Sequence, residues 1–111
     1  MSRGREGEER VATALQAVGW TVLNRNWRGA GGELDLVVVK SDRLRFVEVK
    51  ARAPGDPVGI ETIGASKRSH LVRAARAWLR AHDLEVEEMA FLVAMVEGER
   101  ITWYDDAFDV E

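Results

Sequence analysis

Four side chains within GGELDLVVVKSDRLRFVEVKAR (residues 31–52) are of types that could act together on a phosphate: Glu33, Asp35, Glu48 and Lys50. The rest of the stretch reads as a hairpin, two runs of Val, Leu and Phe around the polar turn Lys40-Ser41-Asp42-Arg43. A loop of two or four residues there sets Val39 against Leu44, Val37 against Phe46 and Leu36 against Val47. Asp35 then falls opposite Glu48, and Glu33 opposite Lys50. Directly opposed residues have Cβ atoms about 4.5–5.5 Å apart, where two carboxylates repel. A divalent cation turns that cost into a binding site, because Mg²⁺ takes oxygen ligands from one or two carboxylates and leaves the rest to water and phosphate. Lys50, two residues from Glu48 and on its face, could orient a water or neutralise charge developing on phosphorus. Without a cation the same residues form a surface charge cluster with a Lys–Glu pair, and a bare E-x-K does not separate the two.

Two further residues belong with this set. Glu8 precedes Val11 by three and Leu15 by seven, which puts it on the core-facing side of a first helix, although an acid also favours a helix N-terminus for its own sake. Lys67 precedes Leu71 by four and points inward from a second helix, whereas Arg73, Arg76 and Arg80 project together on another face. That stripe, with Arg52, Lys67 and Arg68, is the basic surface a polyanion would meet.

The elements that must position these groups follow from periodicity. Arg5–Val18 carries Val11, Ala14, Leu15 and Val18 at helical spacing, with Gly19 where a C-terminal cap glycine belongs. Trp20–Trp27 reads as a strand, broken by Gly29, Gly31 and Gly32; Glu33–Lys40 and Leu44–Lys50 follow as strands. Ala53–Gly59 holds both prolines and forms a loop. Residues 64–82 form a helix with the apolar stripe Leu71, Ala74, Ala75, Trp78 and Leu79 and with Ser66 as N-cap. Met89–Val96 is a buried strand and Ile101–Tyr104 a short last one. The order α-β-β-β-α-β-β predicts an α/β fold, a mixed central sheet flanked by helices.

The chain has 111 residues, enough for one domain burying roughly 65% of its unfolded surface. It has no cysteine, which excludes disulfides and thiolate metal sites and fits a cytoplasmic location. Neither a signal peptide nor a membrane span is expected: residues 1–10 are highly charged and the longest apolar run is Met89–Val96. The net charge of −3 hides an asymmetry. Residues 1–82 hold 15 Lys/Arg against 9 Asp/Glu, whereas residues 83–111 hold one Arg against 10 acids. A basic body with an acidic end is compatible with a polyanionic partner, since local potential guides encounter. The tryptophans (Trp20, Trp27, Trp78 and Trp103) are expected in core or partly buried packing, and His70 and His82 at the surface or a helix end.

Taken in order, Gly4-x-x-Gly7-Glu8, LNRNWR (residues 23–28), GELDLV (32–37), FVEVKAR (46–52), Glu61 with Lys67, and Ala107-Phe108 resemble the YraN-like predicted endonucleases, a branch of the PD-(D/E)XK nuclease superfamily. The resemblance covers nearly the whole chain. It implies a restriction-endonuclease-like fold and Mg²⁺- or Mn²⁺-dependent hydrolysis of phosphodiester bonds in DNA. It places the metal-binding acid on Asp35 and the (D/E)-x-K on Glu48 and Lys50, with the Val49 carbonyl as a further metal ligand. Similarity to archaeal-type Holliday junction resolvases makes Glu8 an outer metal-site acid, and Lys67 matches the family's basic residue at the start of the second helix. The chain departs from the pattern at Leu34, where the motif name has proline, in a shorter loop between Arg52 and Glu61, and at Leu92, where an aspartate usually follows the aromatic.

The leading expectation is therefore a Mg²⁺-dependent endonuclease acting on branched or damaged DNA in repair or recombination, with DNA as partner, a homodimer allowed and no membrane. A non-catalytic nucleic-acid-binding module of the same fold is the alternative. A third is a protein-interaction domain using the acidic end, with Trp103 and Tyr104 as anchors.

Overall fold

The structure, a computed structural model, describes residues 3–52 and 64–108, with side chains from Arg5 onward. The elements are α1 (Arg3–Ala17), β1 (Thr21–Gly29), β2 (Gly32–Lys40), β3 (Arg43–Ala51), α2 (Ala65–Ala81), β4 (Glu88–Glu97) and β5 (Arg100–Tyr104), the expected order. They form one five-stranded sheet in the order β1-β2-β3-β4-β5. Every neighbouring pair is antiparallel except β3–β4, which is parallel. Parallel neighbours need a crossover connection, and α2 lies within this one.

The two helices cover opposite faces. Val11, Ala12 and Leu15 of α1 pack on Leu36, Val38, Val47, Leu92, Ala94 and Val96. Leu71, Ala74, Ala75 and Trp78 of α2 pack on Leu34, Val37, Leu44, Phe46 and Phe91. The stripe expected for α2 is the one buried. On α1, Ala12 is buried beside Val11, whereas Val18, expected on the inward stripe, is 59% exposed because the helix ends one residue before it.

Helix ends show where local chemistry agreed with expectation and where it did not. Trp20 N–H donates to the Leu15 carbonyl and Gly19 N–H to Gln16, the paired bonds of a Schellman cap, with Gly19 at φ 100°. Lys40 Nζ adds a 2.7 Å bond to the Val18 carbonyl. At α2 the expected Ser66 cap is not found. Gly64 is the N-cap, no side chain among the described residues caps the helix, and the first turn holds no acid. The proline loop and Glu61 lie outside the described residues.

The β2–β3 register is the expected one from Lys40–Arg43 through Leu36–Val47, and there it stops. Leu36 faces the α1 core, yet Leu34, two residues earlier, faces the α2 core. Side chains in a regular strand return to the same face every second residue, so the alternation slips by one at Asp35. Opposite the slip, β1 carries Asn26 in the left-handed region at φ 48°. The β1–β2 register shifts between Val22 and Asn24; the slip at Asp35 is a second irregularity, and it sits at the residue with the most chemistry.

Candidate functional site

Asp35 does not pair through its backbone with Glu48, as the simple register required; the ladder ends first. Its side chain reaches across instead, and Oδ2 accepts a 2.8 Å hydrogen bond from the Val49 N–H. Val49 thus enters the site through its amide. Glu33 is likewise not opposite Lys50. It faces Arg28 across the β1–β2 hairpin and accepts a 3.1 Å bond from that guanidinium.

Glu48 is the unusual group. It lies on the α2 face of β3 and is only 6% exposed. Oε2 is buried and has no hydrogen-bond partner among the described residues. Lys67 Nζ stands 3.7 Å away, near enough for attraction but too far for a hydrogen bond. Burial, and then the Asp35 carboxylate, push the Glu48 pKa up to about 8, against weaker opposing pulls from Lys67 and Lys50. A carboxyl in this position is largely neutral at pH 7 unless a cation arrives.

Glu8 approaches from α1. Asn26 Nδ2 donates to Glu8 Oε1 at 2.8 Å and lies 3.4 Å from Glu33 Oε1. Burial raises the Glu8 pKa, the Asn26 bond opposes this, and the Asp35 and Glu33 carboxylates add to the rise. Gly7 packs against Val49 and Val96 of the sheet: a Cβ there would make an ordinary contact, 3.5 Å from Val49 Cγ1. The structure thus gathers Glu8, Asp35, Glu48, Val49, Lys50 and Lys67 around the slipped end of the hairpin. Among the described residues, no three His, Cys, Asp or Glu side chains converge tightly enough to cage an ion by themselves. The fit is that of a cation sharing two carboxylates with water and substrate, and the orphaned Glu48 Oε2 is the observation that favours it.

The LNRNWR block now has a physical role. Asn24 Oδ1 accepts a 2.7 Å bond from the Trp78 indole of α2, Arg25 pairs with Glu9 of α1 at 2.9 Å, and Asn26 holds Glu8. One edge strand ties both helices to the site. The nucleic-acid candidates are spread more widely. Arg73, Arg76 and Arg80 are exposed along α2. Arg52 is paired with Glu97 at 3.0 Å, and Arg68 lies 5.6 Å over the Phe108 ring, which stacks on Phe91. Leu92 is buried in the α1-side core, on the other face of the sheet from Glu48.

Trp78 is fully buried, Trp20 and Trp27 are partly buried, and Trp103 is 41% exposed, more open than expected. His70 is exposed and His82 closes α2, stacked on Trp78 at 4.1 Å. Sequence reasoning missed one charged residue altogether. Arg45 is 2% exposed on the α1 face, with Nε 2.7 Å from Asp105 Oδ1 and Nη2 2.5 Å from Glu88 Oε1. Its signal was the register, since Arg45 opposite Val38 shares the face of Val47.

The mixed sheet with a helix on each face and acids at a slipped hairpin end defines an α/β domain with a candidate cation site. Residues 7–110 match the family described as "Uncharacterised protein family UPF0102", and the chain belongs to it. A UPF0102 protein of Synechococcus sp. (strain JA-3-3Ab) is 44% identical over 97 residues, 85% of this chain and 73% of the relative. One from Chloroflexus aurantiacus is 38% identical over 105 residues, 92% of this chain and 86% of its own. One from Myxococcus xanthus is 40% identical over 104 residues, 89% and 81% of the two chains.

Proposed function

We propose that this protein is a Mg²⁺- or Mn²⁺-dependent DNA endonuclease that hydrolyses phosphodiester bonds, with branched or damaged DNA as the substrate class. The observation that carries the reading is Glu48, a buried carboxyl with an orphaned oxygen set against a second carboxyl, Asp35. A protein with no ligand for this pair would gain stability by replacing it with apolar residues. The residues to hold the cation are Asp35, Glu48 and the Val49 carbonyl, with Glu8 as an outer acid. When bound, the cation supplies Lewis acidity at the phosphoryl oxygen and offsets the carboxylate repulsion.

The chain's own groups have the remaining roles. Lys50 is half-buried on the Glu48 face, where its Nζ can hold the attacking water and take part in its proton transfer. Lys67 places a second ammonium beside Glu48, suited to a non-bridging phosphate oxygen. Asn26 positions Glu8, and the Val49 amide positions Asp35. The α2 N-terminus adds to the attraction for an anion: among the described residues it has no side-chain cap, its first turn holds no acid, and it carries Lys67 and Arg68. The exposed Arg73, Arg76 and Arg80 would supply phosphate contacts that hold DNA without reading its sequence. Cytoplasmic location and a single domain belong to the same reading. Among the described residues, no helix is long and apolar enough to cross a membrane.

The test is cleavage of linear, nicked and branched DNA with Mg²⁺ or Mn²⁺. Glu48→Gln and Lys50→Ala should each reduce cleavage about 100-fold or more while DNA binding persists. Wild-type protein that binds every substrate and cleaves none would leave a binding module in its place.

A further inference from the structure

A groove of about 540 Å³ opens beside the carboxylates, between the β1–β2 turn and the start of α2. Arg28 and Glu33 line one wall, Lys67 and His70 the other, and Leu71 lies at its base. The turn explains the opening. Ala30 and Gly31 have φ of 52° and 81°, a two-residue hairpin turn with both central residues in the left-handed region. At Gly32 strand and helix touch, since a Cβ there would lie 2.4 Å from the His70 carbonyl oxygen. One residue earlier they part, and a Cβ on Gly31 would meet nothing within 4 Å. Backbone bare of side chains lets a ligand approach closely.

The groove has the chemistry of a nucleotide site. Arg28 is 81% exposed in its side chain and held by Glu33, so its guanidinium is open to a phosphate. Glu33 offers an acceptor to a base amino group, and Leu71 with the glycine backbone offers apolar and flat surface. The volume lies within the ~300–1,000 Å³ of small-molecule pockets. A base pair locked in a duplex stack cannot enter such a site, whereas an unpaired or extruded nucleotide can. Lys67 joins the groove to the carboxylates, since it lines the one and stands 3.7 Å from Glu48 Oε2 in the other.

We propose that this groove holds one unpaired nucleotide of a DNA strand, flanking the phosphate at Asp35 and Glu48. The proposal rests on the nuclease reading and narrows its substrate to DNA with an unpaired position beside the scissile bond.

The test is a fluorescence titration of the full chain with a short single strand carrying 2-aminopurine, in EDTA, beside a duplex of the same sequence and the free 2-aminopurine nucleotide. His70→Trp, which fills the groove, and Arg28→Ala should weaken single-strand binding about tenfold and duplex binding much less. Both variants should keep the rise in Tm that wild type shows with Mn²⁺. Unchanged single-strand binding, or equal losses for single strand and duplex, would overturn the groove and leave the nuclease reading standing. Free nucleotide binding as tightly as the strand would overturn the strand as occupant. A wild-type Tm indifferent to Mn²⁺ would overturn the nuclease reading instead, while the metal-free titration still reports on the groove.

Discussion

Strand β3 carries two buried charged residues three positions apart, and they are treated in opposite ways. Arg45 faces α1, and its guanidinium bonds to Asp105, Glu88 and the Leu44 carbonyl while lying 5.8 Å over the Trp20 ring. Bonds to Asp105 hold that acid's pKa below its usual value. Glu48 faces α2, with an acid for a neighbour, a lysine out of hydrogen-bond reach and one oxygen unpartnered. A buried charge with its partners supplied is explained by the fold. One whose partners are missing is the observation on which the proposed cation site rests.

Loss of the satisfied cluster should have the largest effect on stability. Arg45→Ala leaves a cavity and strips Asp105 and Glu88 of their partner, although both acids are about half exposed and can take up water. A loss of about 3 kcal/mol in urea unfolding is expected. A loss under about 1 kcal/mol would mean that Arg45 is no better served than Glu48.

The second expectation has the opposite sign. Glu48→Gln removes the cost of holding a buried carboxyl protonated beside Asp35 and should stabilise the metal-free protein by about 2 kcal/mol at pH 7. The gain depends on pH in a fixed direction. Glu48 has its folded pKa raised from 4.5 to about 8. Its contribution is therefore fully present below about pH 4.5 and is lost as pH rises through about 8. The gap between variant and wild type should open over that window and stay level above it. A gap that is constant with pH would show that Glu48 does not titrate there. As the smallest effect, Glu9→Gln breaks an exposed pair with Arg25 and should change stability by less than about 0.5 kcal/mol.

The sequence carried much of this arrangement. Apolar pairing across the Ser41-Asp42 turn set the register, and the helical spacing of Leu71, Ala74, Ala75 and Trp78 identified the buried face of α2. Both faces of a buried sheet constrain register, which is why a one-residue error there was unattractive. The same periodicity placed Glu8 and Lys67 on inward faces; Lys67 is exposed instead, with its Nζ 3.7 Å from Glu48. The slip at Asp35 was not legible, because it depends on Asn26 in the left-handed region on a neighbouring strand. Nor was the Arg45 cluster, whose partners lie 43 and 60 residues away. Ser66 looked like a cap because Ser is a good one, but the helix starts two residues earlier than that cap requires, after Gly64. The expected acidic end also proved less free than its composition suggested: Glu88, Glu97 and Asp105 are paired with arginines of the basic body.

The contrast on β3 rests on Glu48 being kept for a cation, and a Mn²⁺ titration of thermal stability near pH 8 tests that directly. Wild-type Tm should rise steadily with Mn²⁺, a gain of about 2.7 kcal/mol when the ion reaches 100 times its Kd. Asp35→Asn and Glu48→Gln should abolish the rise, and Arg45→Met should retain it. A wild-type Tm that does not move, or a rise that survives both carboxylate substitutions, would contradict the assignment.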